Sequence, residues 1–103
     1  MQLDVFQNPL VRARRAFPYV VLLQSDISAF GGDRIIAFLA AKVQFGSPSS
    51  RLMPVVEVEG RDFVLLMPSI TNVAVTELRN PIGNLNAFRD RIVDAIDWTF
   101  LGI

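Results

Sequence analysis

Asp90, Asp94 and Asp97 recur at helical spacing near the carboxyl end of the chain. Carboxylates in that pattern could hold a cation. They lack the dense shell of oxygen ligands that calcium takes, and magnesium usually shares substrate phosphates. A solvated helix face accounts for them more simply. Elsewhere the reactive chemistry is thin. The chain has no histidine and no cysteine, which removes imidazole acid–base catalysis, thiolate nucleophiles, disulfides and thiolate–zinc sites. Ser25, Ser47, Ser49 and Ser50 therefore have no histidine or thiol companion, and Lys42, the one lysine among ten cationic residues, would have to act alone. Gly31-Gly32 lacks the spacing and the following lysine of a phosphate loop. What remains is arginine-assisted phosphodiester cleavage, with Arg14, Arg15, Arg34 or Arg51 stabilising developing charge. Nothing in their spacing requires it. No metal or cofactor is expected. Arg12, Arg14 and Arg15 form a short basic cluster without a nearby acid. As a nucleic-acid footprint it is weak, and a solvated loop explains it.

The elements that would position these residues are mostly strands. Gln2–Phe6 alternates polar and apolar residues, as a half-buried strand does, and Asn8-Pro9 ends it. Tyr19–Leu23 is β-branched and aliphatic and reads as a central strand. Phe30-Gly31-Gly32-Asp33 is a turn, and Arg34–Val43 is a second buried run, ambiguous at Ala40-Ala41. Phe45–Ser50 is a loop. Leu52–Glu59 and Asp62–Met67 flank Gly60 as a hairpin. Pro68-Ser69 should break the second of these strands, and Thr71–Leu78 is a further candidate. Asn80–Gly83 is a turn, with Asn84 as the N-cap of a terminal helix. The sum is one domain over residues 1–103, with five to seven mostly antiparallel strands and a C-terminal helix, an α+β arrangement.

That helix organises the functional expectation. On a wheel of roughly 100° per residue, Leu85, Phe88, Ile92, Ala95, Ile96 and Thr99 share one face, with Val93 and Phe100 on its flank. The aspartates lie opposite, and Leu101 lines up with them. An aliphatic residue on the wet face, followed by Gly102-Ile103, suits a contact offered to another molecule; fraying of the terminus is the alternative. The composition supports a partner. Half of the residues (51%) are hydrophobic in a chain of 103, and a second copy is the simplest cover, so a homodimer is expected. Net charge is zero, so no overall field favours nucleic acid. The opening residues do not resemble a signal peptide, and the longest apolar runs are too short to span a bilayer. A cytoplasmic location without membrane contact is expected.

Gln24-Ser25-Asp26-Ile27, Pro54-Val55-Val56 and the ending Phe100-Leu101-Gly102-Ile103 resemble the CcdB toxin family over the whole length, with the elements in the same order. The resemblance implies a homodimer on an antiparallel SH3-like barrel similar to that of MazF and Kid, with a small wing sheet and a C-terminal helix. It also implies a non-enzymatic toxin of a toxin–antitoxin pair. Such a toxin binds the A subunit of DNA gyrase and traps it on cleaved DNA. A CcdA-like antitoxin neutralises it and, together with it, represses the operon, so DNA is met only through gyrase or antitoxin. The gyrase contact in plasmid-type members is a terminal Trp-Gly-Ile. Here Gly102 and Ile103 match and Leu101 replaces the tryptophan, while Trp98 stands one helical turn earlier and can add aromatic area. Two alternatives stay open: a MazF-like endoribonuclease on the related fold, and a homologue that has lost gyrase poisoning.

Overall fold

The computed structural model describes residues 1–45 and 51–102; of the expected Phe45–Ser50 loop, Phe45 instead ends a helical turn, and the rest, like Ile103, lies outside the described residues. Six strands form one antiparallel sheet: β1 (Asp4–Gln7), β2 (Tyr19–Leu22), β3 (Asp33–Ala41), β4 (Val55–Val58), β5 (Arg61–Ala74) and β6 (Gly83–Asn84). Their spatial order is β4-β5-β3-β2-β1-β6. The sheet curls into a nearly closed barrel, and a helix, α2 (Arg89–Leu101), packs on it; a single turn, α1 (Lys42–Phe45), follows β3. The class is α+β, an SH3-like barrel.

Alternation explains which residues are inside. Along β1, β2, β3 and β5, successive side chains enter two different clusters. Val5, Val21, Leu39, Phe63, Leu65 and Met67 face α2, where Leu85, Ile92 and Ala95 complete the main core. Phe6, Val20, Leu22, Ile36 and Val73 form a second cluster, and Ala40, Val64 and Leu66 a third. Phe63 to Met67 is therefore buried without interruption, since both faces of β5 are covered there. In β4 only one face is, so Val56 and Val58 are buried while Glu57 is exposed.

The β4–β5 hairpin forms where expected. Val58 pairs with Arg61, leaving Glu59 (φ 51°) and Gly60 (φ 79°) as the two turn residues. Two adjacent positive φ values define the turn family that matches strand twist, and glycine meets that demand without strain.

Three sequence expectations need correction. Pro68-Ser69 does not end a strand: β5 runs through it to Ala74. Ile36 pairs with Thr71 and Phe38 with Leu66, so Ala37 alone stands opposite Met67 to Ile70. The proline sits in this bulge, where no ladder hydrogen bond is asked of it. The strand expected at Thr71–Leu78 is thus the outer half of β5, followed by a 3-10 turn, Val75–Glu77. The small wing is not a separate sheet among the described residues; this outer half with Asp33–Ile36, and the β4–β5 hairpin, project as parts of the one sheet. Third, Asn84 does not cap the helix. It pairs with Asp4 in β6, and its Nδ2 donates to the Gln2 carbonyl (3.0 Å) and to Asp4 Oδ1 (2.9 Å). Its Oδ1 accepts the Asn86 N–H at 2.7 Å, closing a turn ahead of a 3-10 segment, Asn86–Phe88. The helix proper begins only at Arg89. Local capping preference yields here to strand pairing with the N-terminus.

Candidate functional site: the exposed tip of the terminal helix

α2 has two unlike halves. Ile92 and Ala95 are buried and Ile96 is half-buried, while Asp90 and Asp97 are exposed. The amphipathic wheel is therefore realised. Past Ile96 the chain comes to the surface: Trp98 is 38% exposed, Phe100 62% and Leu101 67%. The helix extends through Leu101 and stops at Gly102, whose left-handed conformation (φ 72°) lets its N–H donate to the Asp97 and Trp98 carbonyls, both at 3.2 Å. Such a cap closes the last turn and favours glycine. A Cβ at Gly102 would meet no atom within 4 Å, so the position is sterically open.

The tip is braced from outside the helix. Arg51 donates from Nε and from Nη2 to the two carboxylate oxygens of Asp94, each at 2.7 Å. Its guanidinium carbon also lies 4.4 Å from the centroid of the Trp98 ring. Hydrogen bonding from Arg51 holds the Asp94 carboxyl below the usual carboxylate range, and the same bond raises the guanidinium of Arg51. Nearby, Arg91 donates to the Val55 carbonyl at 2.9 Å. Asp94 is thus the member of the aspartate row that is committed to a partner. Among the described residues, no three acidic, histidine or cysteine side chains come together as a metal site.

Beside the tip lies an apolar groove of about 420 Å³, lined chiefly by Leu23, Ile35, Ile70, Ile96 and Phe100. The loop at Ser25–Gly32 lends Ser25 and Ser28 to the groove's lining and carries two bare hydrophobic side chains of its own, Ile27 (96% exposed) and Phe30 (83%). A groove with apolar walls beside exposed aromatic and aliphatic side chains marks a surface that other molecules cover.

The arginines considered for phosphodiester chemistry are dispersed into separate local roles. Arg51 belongs to the brace. Arg14 donates to the Asn8 carbonyl, and Arg34 to the carbonyls of Gly31 and Asp33, both at 2.9 Å. The Arg12–Arg15 segment is held shut by Asn8, a fully buried polar residue whose Nδ2 donates to the Phe17 carbonyl (2.8 Å) and whose Oδ1 accepts the Leu10 N–H (2.9 Å). Lys42 lines a hollow of about 520 Å³ with Arg61, Asp62 and Phe63, to which α2 contributes no lining residue.

Sequence reasoning located Trp98, Leu101 and Gly102 at the tip, and the structure keeps them together there; Ile103 is outside the described residues. It missed the brace. Arg51 and Asp94 are 43 residues apart, and no local pattern links them. It also missed the groove, whose walls come from five separated stretches of chain.

A nearly closed antiparallel barrel with a C-terminal helix is the architecture of small toxin barrels of the CcdB/MazF type. The CcdB protein family model matches residues 2–102, essentially the whole chain, and the chain belongs to that family. Its members are toxins of toxin–antitoxin systems. Individual curated proteins give no match. No helix among the described residues is long and apolar enough to cross a membrane.

Proposed function

We propose that this chain is a gyrase poison: a homodimeric, non-enzymatic toxin that binds the A subunit of DNA gyrase and traps it on cleaved DNA. Leu101, Gly102 and Ile103 make the contact and Trp98 borders it. The observation that carries this is the exposed apolar tip of α2, with Phe100 and Leu101 both largely bare at the end of a helix whose root is buried. A fold gains nothing by leaving such residues in water; a binding surface does. The groove walled by Leu23, Ile35, Ile70, Ile96 and Phe100 is suited to a second copy of the chain. A CcdA-like antitoxin would cover the tip in the neutralised state and share in repressing the operon. Gyrase and antitoxin are both cytoplasmic partners, so the toxin acts there.

Leu101 supplies less contact than an indole would. Replacing a buried tryptophan by leucine removes apolar area equivalent to about 1–3 kcal/mol of binding, tenfold to over a hundredfold in affinity. Inhibition is therefore weaker than a terminal Trp-Gly-Ile would give.

The test is inhibition of gyrase supercoiling by the purified protein, with Gly102→Glu as the disabling variant. Because Gly102 has positive φ, most L-residues there strain the cap by about 1 kcal/mol. Gly102→Asn, which tolerates that conformation, serves as the control. Loss of inhibition in the Glu variant and retention in the Asn variant is the expected pair of results. Full inhibition by Gly102→Glu moves the contact elsewhere. Cleavage of RNA without gyrase trapping would make the protein an endoribonuclease instead. Antitoxin binding without any toxicity would mark a homologue that has lost its target.

A further inference from the structure

The C-terminal half of α2 has little of its own to hold it. Its buried residues are Ile92 and Ala95, both in the first two turns, and the last turn presents Trp98, Phe100 and Leu101 to solvent. Helix ends with so few buried contacts open readily. One guanidinium crosses this weak stretch from another part of the chain. Asp94 and Trp98 are four residues apart, hence on one face, and Arg51 engages both: a two-point fork on the carboxylate at 2.7 Å and a stack 4.4 Å over the indole. Arg91, donating to the Val55 carbonyl, ties the same incoming segment to the helix a little further back.

We infer that Arg51 is a positioning residue of the docking tip: by pairing with Asp94 and stacking on Trp98 it fixes the last turns of α2 and covers one face of the indole. Leu101 is then presented preformed. This rests on the docking role proposed above. An exposed ion pair alone contributes little to stability, so the brace acts on presentation and not on folding. Order in the free tip removes the need to order it on binding, which raises affinity without adding a contact. The geometry also makes lysine a poor substitute, because an ammonium has neither the fork nor the flat face.

Trp98 is the single tryptophan of the chain, so its fluorescence reads the brace directly. Full-length Arg51→Ala, Arg51→Lys and Asp94→Asn are compared with the parent for acrylamide quenching of Trp98, thermal unfolding and affinity for the purified gyrase A subunit. In the arginine variants quenching rises and gyrase affinity falls about three- to fivefold, the factor an exposed cation–π contact is worth, while the melting temperature hardly moves. Arg51→Lys behaves nearer to Ala than to the parent. Asp94→Asn, which keeps the cation but weakens the fork, lies between, and it carries the test should Arg51→Ala fold poorly. Parent-like quenching in all three overturns the brace. Raised quenching with parent-like gyrase affinity overturns its role in positioning. Gly102→Glu is run alongside: if it also binds gyrase as the parent does, the docking role itself has failed, and the positioning role falls with it.

Discussion

The root and the tip of α2 are built from the same kinds of residue and do opposite things. At the root, Ile92 and Ala95 are buried in one cluster with Phe63, Leu65 and Met67, and their side chains serve the fold. At the tip, Trp98, Phe100 and Leu101 are apolar and mostly in water. The root is sealed by the sheet beneath it; the tip meets only the rim of the apolar groove, through Phe100, and one arginine reaching across. Hydrophobicity alone therefore does not separate core from contact. What separates them is where the helix runs relative to the edge of the barrel, and a single turn is enough to change the answer.

The comparison can be broken first at the root. Ile92→Ala, at a side chain only 1% exposed, removes buried methylenes and leaves a cavity, a loss of about 2–5 kcal/mol. In a domain of this size that is a large share of total stability, and chemical denaturation will show a much lower midpoint. The same kind of change at the tip should leave the fold alone and move function. Leu101→Trp is expected to strengthen gyrase inhibition by tenfold or more at unchanged denaturation midpoint, read in a supercoiling assay; unchanged inhibition would mean that position 101 does not meet the target. On the inner side of the tip lies Thr99, whose Oγ1 is buried with no hydrogen-bond partner among the described residues. Thr99→Val removes that orphaned hydroxyl at constant shape, so it should stabilise the protein by up to about 1 kcal/mol, seen as a modest rise in melting temperature.

The smallest effect is a pH dependence confined to the tip. Asp94 has its folded pKa lowered from 3.8 by the Arg51 hydrogen bond. Its contribution is thus fully present above the unfolded carboxylate value and disappears as pH falls through the lower folded one. Trp98 quenching should stay flat from neutrality down to about pH 5 and rise only below the ordinary carboxylate pKa. Asp94→Asn should abolish that rise. Because the pair is exposed, the global unfolding curve is expected to change far less than the local signal.

The two regions also differ in how far the sequence announces them. The buried face of α2 was legible because Ile92, Ala95 and Ile96 recur at the period of a helix, and so was the odd placement of Leu101 among the aspartates. The β4–β5 hairpin was legible because a glycine sits between two strongly apolar runs, one of them alternating. The continuity of β5 through Pro68 was not. Proline's missing N–H is a local fact, whereas its tolerance depends on a bulge opposite Ala37 that only the paired strand creates. Asn84 failed in the same way: its capping propensity is real, but its side chain is claimed by Asp4 and Gln2, some eighty positions earlier in the chain.

By itself the sequence determined the chemistry that is missing, the helix period, the alternating strands and the aliphatic end. Each of these is written in residue type or in spacing over a few neighbours, which is the range of steric and hydrophobic patterning. Only the tertiary structure decided that Arg51 braces Trp98, that Asn8 closes the basic loop and that Phe100 walls a groove. Those depend on bringing together segments tens of residues apart, and a contact across that distance leaves no period in a single chain.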